Sequence, residues 1–385
     1  MRNGRNRRNN PAQPSKITKT DWRNSNEKDV NVSISFLSAL SGCSSAEKAG
    51  ETSVYYDGTL NIYNDGEFFT NYRNQLFYID FTTMQSAYVC PKPNCKHDNP
   101  NDCTSFGMSN HPIAYDGKLY YCTHEISRTE DGAKSCTTVW RADIDGTNRV
   151  KMCSMDELSF QSYDHAVLVG SRLYFTAAKV FYDEFGNSTT YYFMSYDFAD
   201  NSLTNIKKLG EGYNSGAIVC GELNGKVYLS CSYSSVELPY EVMMDFDVFA
   251  EAFEKNSVKL LETYDISTGD TTEVGEVPVG CQGGYLIYWD SETKETRVVN
   301  AGRNEITISG FGMGCLYTIV NDIIFSMSDS LAYDLKTNEM HKILYGNKYM
   351  VVYYIDGKYI LRTSSGDSKE YIAVTEDELI GTEIA

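Results

Sequence analysis

The sequence predicts an all-β protein, a β-propeller of about seven blades with four antiparallel strands each, and six or eight blades remain alternatives. Two recurring half-units predict this fold. The first is a turn followed by an aromatic strand, as in Asp116-Gly-Lys-Leu-Tyr-Tyr, and it recurs at Gly225 and Gly357. The second is a strand that ends in Asp and continues through a polar turn, as in residues 139–150. Gly and Asn tolerate the positive φ that such turns require.

The Asp that ends the second half-unit marks the repeat along the chain. It recurs at Asp80, Asp143, Asp197, Asp265, Asp290 and Asp334. A spacing of roughly 40–50 residues with four strands is typical of a propeller blade. The interval of 25 residues from Asp265 to Asp290 is shorter, and it predicts either an abbreviated blade or one in which residues 286–290 are the second strand. We expect the end of the chain to complete the first blade, at residues 53–90.

Charge is distributed unevenly along the chain. The net charge is −18, whereas the 26 Lys/Arg and 49 Asp/Glu residues from Cys43 onward give −23. Such an acidic body repels nucleic acid and anionic membrane surfaces, so no nucleic-acid partner is predicted. With 42% hydrophobic and 13% aromatic residues, the chain can fill a large core.

The N-terminal region has the organisation of an export leader. We divide the chain into a leader at residues 1–42, a tether at residues 43–52 and a propeller domain at residues 53–385. The segment Leu40-Ser-Gly-Cys43 resembles the lipobox of bacterial lipoproteins, although polar residues interrupt the apolar run before it. The resemblance implies cleavage before Cys43, acylation of its thiol and an extracytoplasmic location at the membrane, with the lipid as the only membrane contact. A soluble, unprocessed protein is the alternative.

A short stretch after the first hairpin concentrates side chains that bind metals. Cys90, Cys95, His97 and Cys103 lie within 14 residues in the pattern Cys-x4-Cys-x-His-x5-Cys. Three Cys and one His form a ligand set of tetrahedral zinc sites, while cysteines of exported proteins are more often oxidised to disulfides. Free thiols are the third alternative. In each case we expect a structural role, and no cofactor other than this zinc alternative is predicted.

The same stretch carries a family resemblance. The element Cys-Pro-x-Pro-x-Cys-x-His-Asp follows the hairpin strand at residues 76–80 and precedes the repeat at Asp116. This arrangement resembles a family of bacterial β-propeller lipoproteins whose ligand is unknown. The hairpin Trp140-Arg-Ala-Asp-Ile-Asp-Gly-Thr-Asn is similar to those of TolB-type propellers. The resemblance implies an extracytoplasmic, membrane-tethered propeller, and it supplies no catalytic residues.

Two features are additions to the regular repeat. Cys122 and Cys136 flank a loop on neighbouring strands, which suggests a disulfide across the strands. Residues 239–257 show apolar side chains at helical spacing, which predicts an amphipathic helix within an otherwise β chain. The helix either packs on its own blade or docks a partner through Met243, Phe246, Phe249 and Phe253.

The sequence contains no recognisable catalytic constellation. None of the five His residues lies in a triad pattern, and the nucleophile elbow Gly-x-Ser-x-Gly with suitable partners is missing. We therefore expect a non-catalytic, monomeric scaffold that binds a protein or glycan ligand. The alternative is a carbohydrate-active propeller that binds or hydrolyses glycans with acidic residues at the channel mouth, which requires two carboxyl groups about 5–10 Å apart.

Overall fold

The fold is taken from a computed structural model. It describes residues 61–383 except residues 72, 109–111, 130–131, 161–165, 183–186, 239–241, 243–245, 291, 303, 312–316, 327–328, 346–347 and 364–369. Across these ranges the chain folds mainly into strands, and every strand pair is antiparallel. The leader, the tether and Cys43 lie outside the described residues.

The first two sheets are blade 1 and blade 2, whose strands follow one another in chain order. Blade 1 contains β1 (Gly66–Thr70), β2 (Leu76–Asp80) and β3 (Gln85–Tyr88), and an isolated bridge joins Ile62 to Glu67 at its inner edge. Blade 2 contains β4 (Ile113–Tyr115), β5 (Lys118–Thr129), β6 (Gly132–Asp143) and β7 (Val150–Asp156).

Blades 3 and 4 share one continuous strand. Their eight-stranded sheet contains β8 (Ser159–Phe160), β9 (Val167–Val169), β10 (Arg172–Tyr182), β11 (Asn187–Asp197), β12 (Ser202–Leu223), β13 (Lys226–Ser234), β14 (Ser257–Asp265) and β15 (Thr271–Glu273). The first half of β12 pairs with β11 and its second half pairs with β13, with the change of partner at Tyr213. The 22-residue strand β12 is therefore the outer strand of blade 3 and the inner strand of blade 4.

The last three sheets are shorter. Blade 5 contains β16 (Gly280–Gln282), β17 (Tyr285–Asp290), β18 (Glu295–Asn300) and β19 (Glu305–Ser309); blade 6 contains β20 (Tyr317–Val320), β21 (Ile323–Ser326), β22 (Leu331–Asp334) and β23 (Glu339–Ile343); blade 7 contains β24 (Tyr349–Ile355), β25 (Lys358–Thr363) and β26 (Tyr371–Thr375). Asp290 thus ends the second strand of blade 5, which explains the short interval after Asp265.

The described ranges therefore hold seven blades in six hydrogen-bonded sheets, because the eight-stranded sheet counts as two. The predicted all-β propeller is confirmed. The expectation for the end of the chain is wrong: after the short helix α2 (Glu376–Leu379), β27 (Ile380–Glu383) pairs with β23 of blade 6 and not with blade 1. Blade 6 gains a fifth strand in this way.

Buried side chains between neighbouring sheets hold the ring together. Blades 1 and 2 meet at Phe68 and Leu119, and blades 6 and 7 meet at Phe325 and Leu361. Further clusters join blade 2 to blade 3, blade 3 through blade 4 to blade 5, and blade 5 to blade 6. A last cluster packs Ile79 of blade 1 with its neighbours against blade 7, so the contacts run round a closed circle.

The repeated Asp is a turn residue in this structure. Asp265 Oδ1 accepts hydrogen bonds from the N–H groups of Ser267 and Thr268 at 2.9 and 3.2 Å, and Asp290 Oδ1 does the same two and three residues on. Asp334 repeats the pattern at 2.7 and 3.1 Å. A carboxylate that caps its own turn stabilises the hairpin, which explains why the repeat retains an Asp at this place.

The helical insertion is confirmed within blade 4. Helix α1 (Phe246–Asn256) connects β13 to β14, and the residue that follows it begins β14. The N–H and hydroxyl groups of Ser235 both donate to Asn256 O, at 2.9 and 3.0 Å, and this ties the helix end to the strand. Within the described residues, we find no helix whose length and hydropathy would let it span a bilayer.

Candidate metal centre

The connection between β3 and β4 brings all four predicted ligands together. Their donor atoms, which are the sulfurs of Cys90, Cys95 and Cys103 and a ring nitrogen of His97, lie within 4.8 Å of one another. Cys90 and Cys103 are buried, at 2% and 5% exposure, and the other two are half-buried. The four side chains therefore converge on one point beneath the surface.

Two tight turns produce this convergence. The first runs from Lys92 to Cys95, where the Cys95 N–H donates to Lys92 O at 3.3 Å and Asn94 adopts a φ of 59°. The second begins at Asn99, whose carbonyl accepts the Cys103 N–H at 3.1 Å. Because each turn closes within a few residues, Cys103 returns to the neighbourhood of Cys90, which lies two residues after the end of β3.

The His97 ring is held in a fixed orientation. Its Nδ1 atom lies 3.1 Å from Cys103 Sγ, and the Tyr88 ring stacks on it with centroids 4.0 Å apart and planes inclined by 13°. The side-chain amide of Gln75 donates to His97 O at 2.6 Å. Ser105 Oγ lies 2.9 Å from Cys103 Sγ and can donate to it when the thiol is ionised. These contacts hold His97 with its Nδ1 atom beside Cys103 Sγ.

The two buried thiols have different acidities. Burial raises the pKa of the Cys103 thiol to about 11. Burial opposes ionisation of Cys90 as well, but hydrogen bonds with the backbone at Lys92 and Thr104 outweigh it and lower the pKa of Cys90. Burial also lowers the pKa of His97, which favours the neutral imidazole.

The donor set fits a metal ion better than it fits a disulfide. In a tetrahedral zinc site the ligand atoms lie roughly 3.6–3.8 Å apart, which agrees with four donors that all fall within 4.8 Å. A disulfide would use two of the three sulfurs and would leave the third and His97 without a role. Cys90, Cys95 and Cys103 are all free cysteines in this structure. With four protein ligands, such a site has no open position for a substrate.

The second predicted cysteine pair is not brought together. Cys122 of β5 lies opposite Val139, while Cys136 of β6 lies opposite Glu125. The hairpin continues past both residues, so the two cysteines are three positions out of register and their side chains point to opposite faces. The register therefore gives a physical reason against a disulfide between these two residues.

Helix α1 is amphipathic, as predicted. Phe249 and Phe253 stack with centroids 5.7 Å apart, and both are half-buried. Glu251 and Glu254 lie on the exposed face. Phe246 begins the helix, whereas Met243 lies outside the described residues.

A cavity lies between blades 2 and 3, and Cys122 is among its lining residues. Its volume is about 20 Å³, and its lining is aromatic and aliphatic, with Tyr120, Met155 and Phe175 among the lining side chains. No carboxylate lines it. A glycosidase would need a pair of carboxyl groups around an open site, so this cavity does not support the carbohydrate-active alternative.

Sequence reasoning missed the residues that position the four ligands. Gln75 donates to the His97 carbonyl, the Tyr88 ring stacks on the His97 ring, and Ser105 Oγ contacts Cys103 Sγ. Tyr88 is the last residue of β3 and lies two residues before Cys90. This short distance along the chain is a local signal from which its role beside the ligands could have been predicted. Gln75 and Ser105 carry no such signal, because they act through the fold.

Fold and site together define a seven-bladed β-propeller with a cluster of three Cys and one His between its first two blades. Comparisons with protein-family models and with curated proteins find no match. Among solved structures, the chain is similar to the β-propeller domain of the Trilobed protease from Pyrococcus furiosus, with 10% identity and a TM-score of 0.36 over 83% of this chain and 90% of that one.

Two enzymes are similar at comparable levels. An acylaminoacyl peptidase from Pyrococcus horikoshii aligns with 11% identity and a TM-score of 0.42, over 82% of this chain and 49% of that chain. An oligogalacturonate lyase, solved in complex with manganese, aligns with 10% identity and a TM-score of 0.35, over 81% of this chain and 74% of that chain. The activities in these names belong to those proteins.

Proposed function

We propose that this protein is a non-catalytic, monomeric binding scaffold, a β-propeller anchored outside the cytoplasm by a lipid on Cys43. The apolar cavity between blades 2 and 3 and the four-ligand cluster both support this role, since no carboxylate lines the cavity and a metal ion held by four protein ligands has no open position for a substrate. The segment Leu40-Ser-Gly-Cys43 supports the anchor.

The single observation that carries the binding role is the surface around helix α1. Val236, Val248 and Val258 are 46%, 48% and 40% exposed. Val236 lies two residues after the end of β13, Val248 is on the helix and Val258 is the second residue of β14. Exposed apolar side chains on an insertion and on the strand ends beside it can serve as contacts for a protein partner. We call these three valines the insertion patch.

A glycan ligand has less support from the aromatic surface. The Arg297 guanidinium lies 4.9 Å from the centroid of the Tyr288 ring, and the Lys294 ammonium lies 6.0 Å from the Trp289 ring. Rings whose faces are occupied by cations do not offer those faces to a sugar. A protein partner is therefore the better-supported half of the protein-or-glycan proposal, and the acidic body of the chain favours one with a basic rim around an apolar centre.

Crosslinking in cells tests the binding role. A photoreactive residue at Val258 should give a discrete adduct with one protein, and the same residue at Val150, which is 44% exposed on blade 2, is the matched control. An adduct pattern that is identical at both positions would contradict the role of the insertion patch.

Fractionation tests the anchor separately. Cys43→Ala should move the protein from the membrane fraction to the soluble fraction and abolish labelling by a fatty acid, whereas Cys136→Ala should do neither. A protein that remains soluble in both cases would refute the anchor and leave the insertion patch untouched.

A further inference from the structure

We infer that Cys90, Cys95, His97 and Cys103 bind one Zn²⁺ ion, and that this ion fastens blade 1 to blade 2. The ligands are three sulfurs and the Nδ1 atom of His97, which already lies 3.1 Å from Cys103 Sγ. Thiolate and imidazole ligands in a tetrahedral set select zinc over the hard cations, which prefer oxygen. The inference concerns a metal site and does not depend on the lipid anchor or on the insertion patch.

The surroundings of the sulfurs suit a bound thiolate. The Ser105 hydroxyl at 2.9 Å can donate to Cys103 Sγ, and the backbone at Lys92 and Thr104 hydrogen-bonds to Cys90. Hydrogen bonds to ligating groups orient them and are part of a working metal site. His97 adopts a φ of 52°, in the left-handed region.

The connection that carries the ligands is attached to blade 1. The Leu76 N–H of β2 donates to Ser105 O at 2.8 Å, and Gln75 pairs with Phe106 in an isolated bridge. Gln75 also donates to His97 O. Ligation would therefore hold this connection against the start of β2.

The same connection is attached to blade 2. The Thr104 hydroxyl lies within hydrogen-bond distance of two carbonyls, at 3.1 Å from Val89 O and 3.4 Å from Asp145 O, and the Arg149 guanidinium donates to Thr104 O. Asp145 and Arg149 belong to the turn between β6 and β7. A zinc ion that fixes residues 90–103 thus locks a strand of one blade to a turn of the next.

The metal content of the full chain tests the inference directly. Protein purified without a metal-affinity step should contain about one zinc ion per chain. His97→Asn removes the ligand while Asn still tolerates the left-handed backbone, and we expect it to weaken zinc binding by at least about 100-fold, because losing even an outer partner costs up to that much. Cys136→Ser, which removes a partly exposed cysteine outside the cluster, should keep the zinc.

Thiol chemistry and exchange give a second readout. Mercurial titration should release zinc as the cluster thiols react, and amide exchange in residues 89–106 and at Leu76 should accelerate when zinc is removed from the wild-type protein. Wild-type protein without zinc, or a peptide in which two of Cys90, Cys95 and Cys103 are joined by a disulfide, would overturn the inference. Because these measurements use the unmodified chain, a variant that fails to fold does not decide the outcome.

Discussion

Glu67 on β1 and Arg362 on β25 are 295 residues apart in the chain, and they form an ion pair inside the seam between blade 1 and blade 7. The Glu67 side chain is only 1% exposed. The Tyr371 hydroxyl donates to its Oε2 atom and the Asn61 amide donates to its Oε1 atom, both at 3.0 Å. No strand of blade 7 pairs with the described strands of blade 1, so this ion pair and the apolar cluster around Ile79 close the ring through side chains.

Removing the Arg362 guanidinium should destabilise the contact between blades 1 and 7. In Arg362→Met the Glu67 carboxylate stays buried without its counter-charge, and breaking a buried pair in this way costs about 3–5 kcal/mol. We expect the free energy of unfolding, measured by urea denaturation, to fall by that amount.

Two controls identify the cause of that loss. Lys208→Met breaks a pair whose side chains are 51% and 52% exposed, so its urea midpoint should stay unchanged. Adding Glu67→Leu to Arg362→Met removes the orphaned charge and should restore much of the stability. If Arg362→Met alone is as stable as the wild type, the ion pair has no role in closing the ring.

Acid should destabilise the protein partly through Asp197, at the end of β11. Burial opposes ionisation of this carboxyl group, but hydrogen bonds from Ala199 N–H and Ser171, and then the Arg172 guanidinium, outweigh burial and lower the pKa. A lowered pKa means that the folded state binds fewer protons, so the stabilisation is present above the unfolded value near 4 and is lost as the pH falls through the folded value.

Denaturation at several pH values measures this contribution. Between about pH 5 and pH 3, the unfolding free energy of Asp197→Asn should decline less steeply than that of the wild type. Arg172→Met should act in the same direction, because it removes one of the groups that lower the pKa of Asp197. A wild-type slope in both variants would rule out this carboxyl group as a source of acid sensitivity.

Much of the fold could be predicted because its signals are local. The Asp that ends a hairpin strand caps its own turn, as Asp265 does with Ser267 and Thr268, so residues that are close in the sequence are enough to indicate the repeat. The continuous strand β12 could not be predicted, since its Gly and Tyr residues read equally well as a turn. The pairing of β27 with β23 depends on which free edge lies nearby, and no local pattern records that.

The candidate metal centre shows the same division. The four ligands lie within 14 residues and two short turns bring them together, so their grouping was visible in the chain. Whether these residues bind a metal or form a disulfide could not be predicted from their spacing, because it depends on where the fold places His97 relative to Cys103. Cys122 and Cys136 do not face each other because most of the segment between them is not a loop. The strands β5 and β6 continue to pair as far as Thr129 and Gly132, and this register places Cys122 opposite Val139.

The shared strand β12 requires a glycine at position 212. A Cβ atom on Gly212 would lie 2.5 Å from Tyr233 Cδ2 and 2.6 Å from the Ser234 carbonyl oxygen, which belongs to the backbone and cannot rotate away. Gly212→Ala should therefore lower the unfolding free energy by about 1–3 kcal/mol. Gly216→Ala on the same strand meets no atom within 4 Å, so it should be neutral or slightly stabilising. Equal thermal midpoints for the two variants would contradict this geometry.

The C-terminal segment should stabilise blade 6 mainly through Leu379. This side chain ends α2 with no exposed surface and packs in the cluster between blades 6 and 7, while its carbonyl accepts the Leu344 N–H at 2.9 Å. Leu379→Ala leaves a cavity there and should cost about 2–5 kcal/mol in urea denaturation. Leu344→Ala removes the same number of atoms from a side chain that is 56% exposed and should cost far less. If both variants lose the same stability, β27 is held to blade 6 by its backbone pairing alone, and the buried leucine is not what secures it.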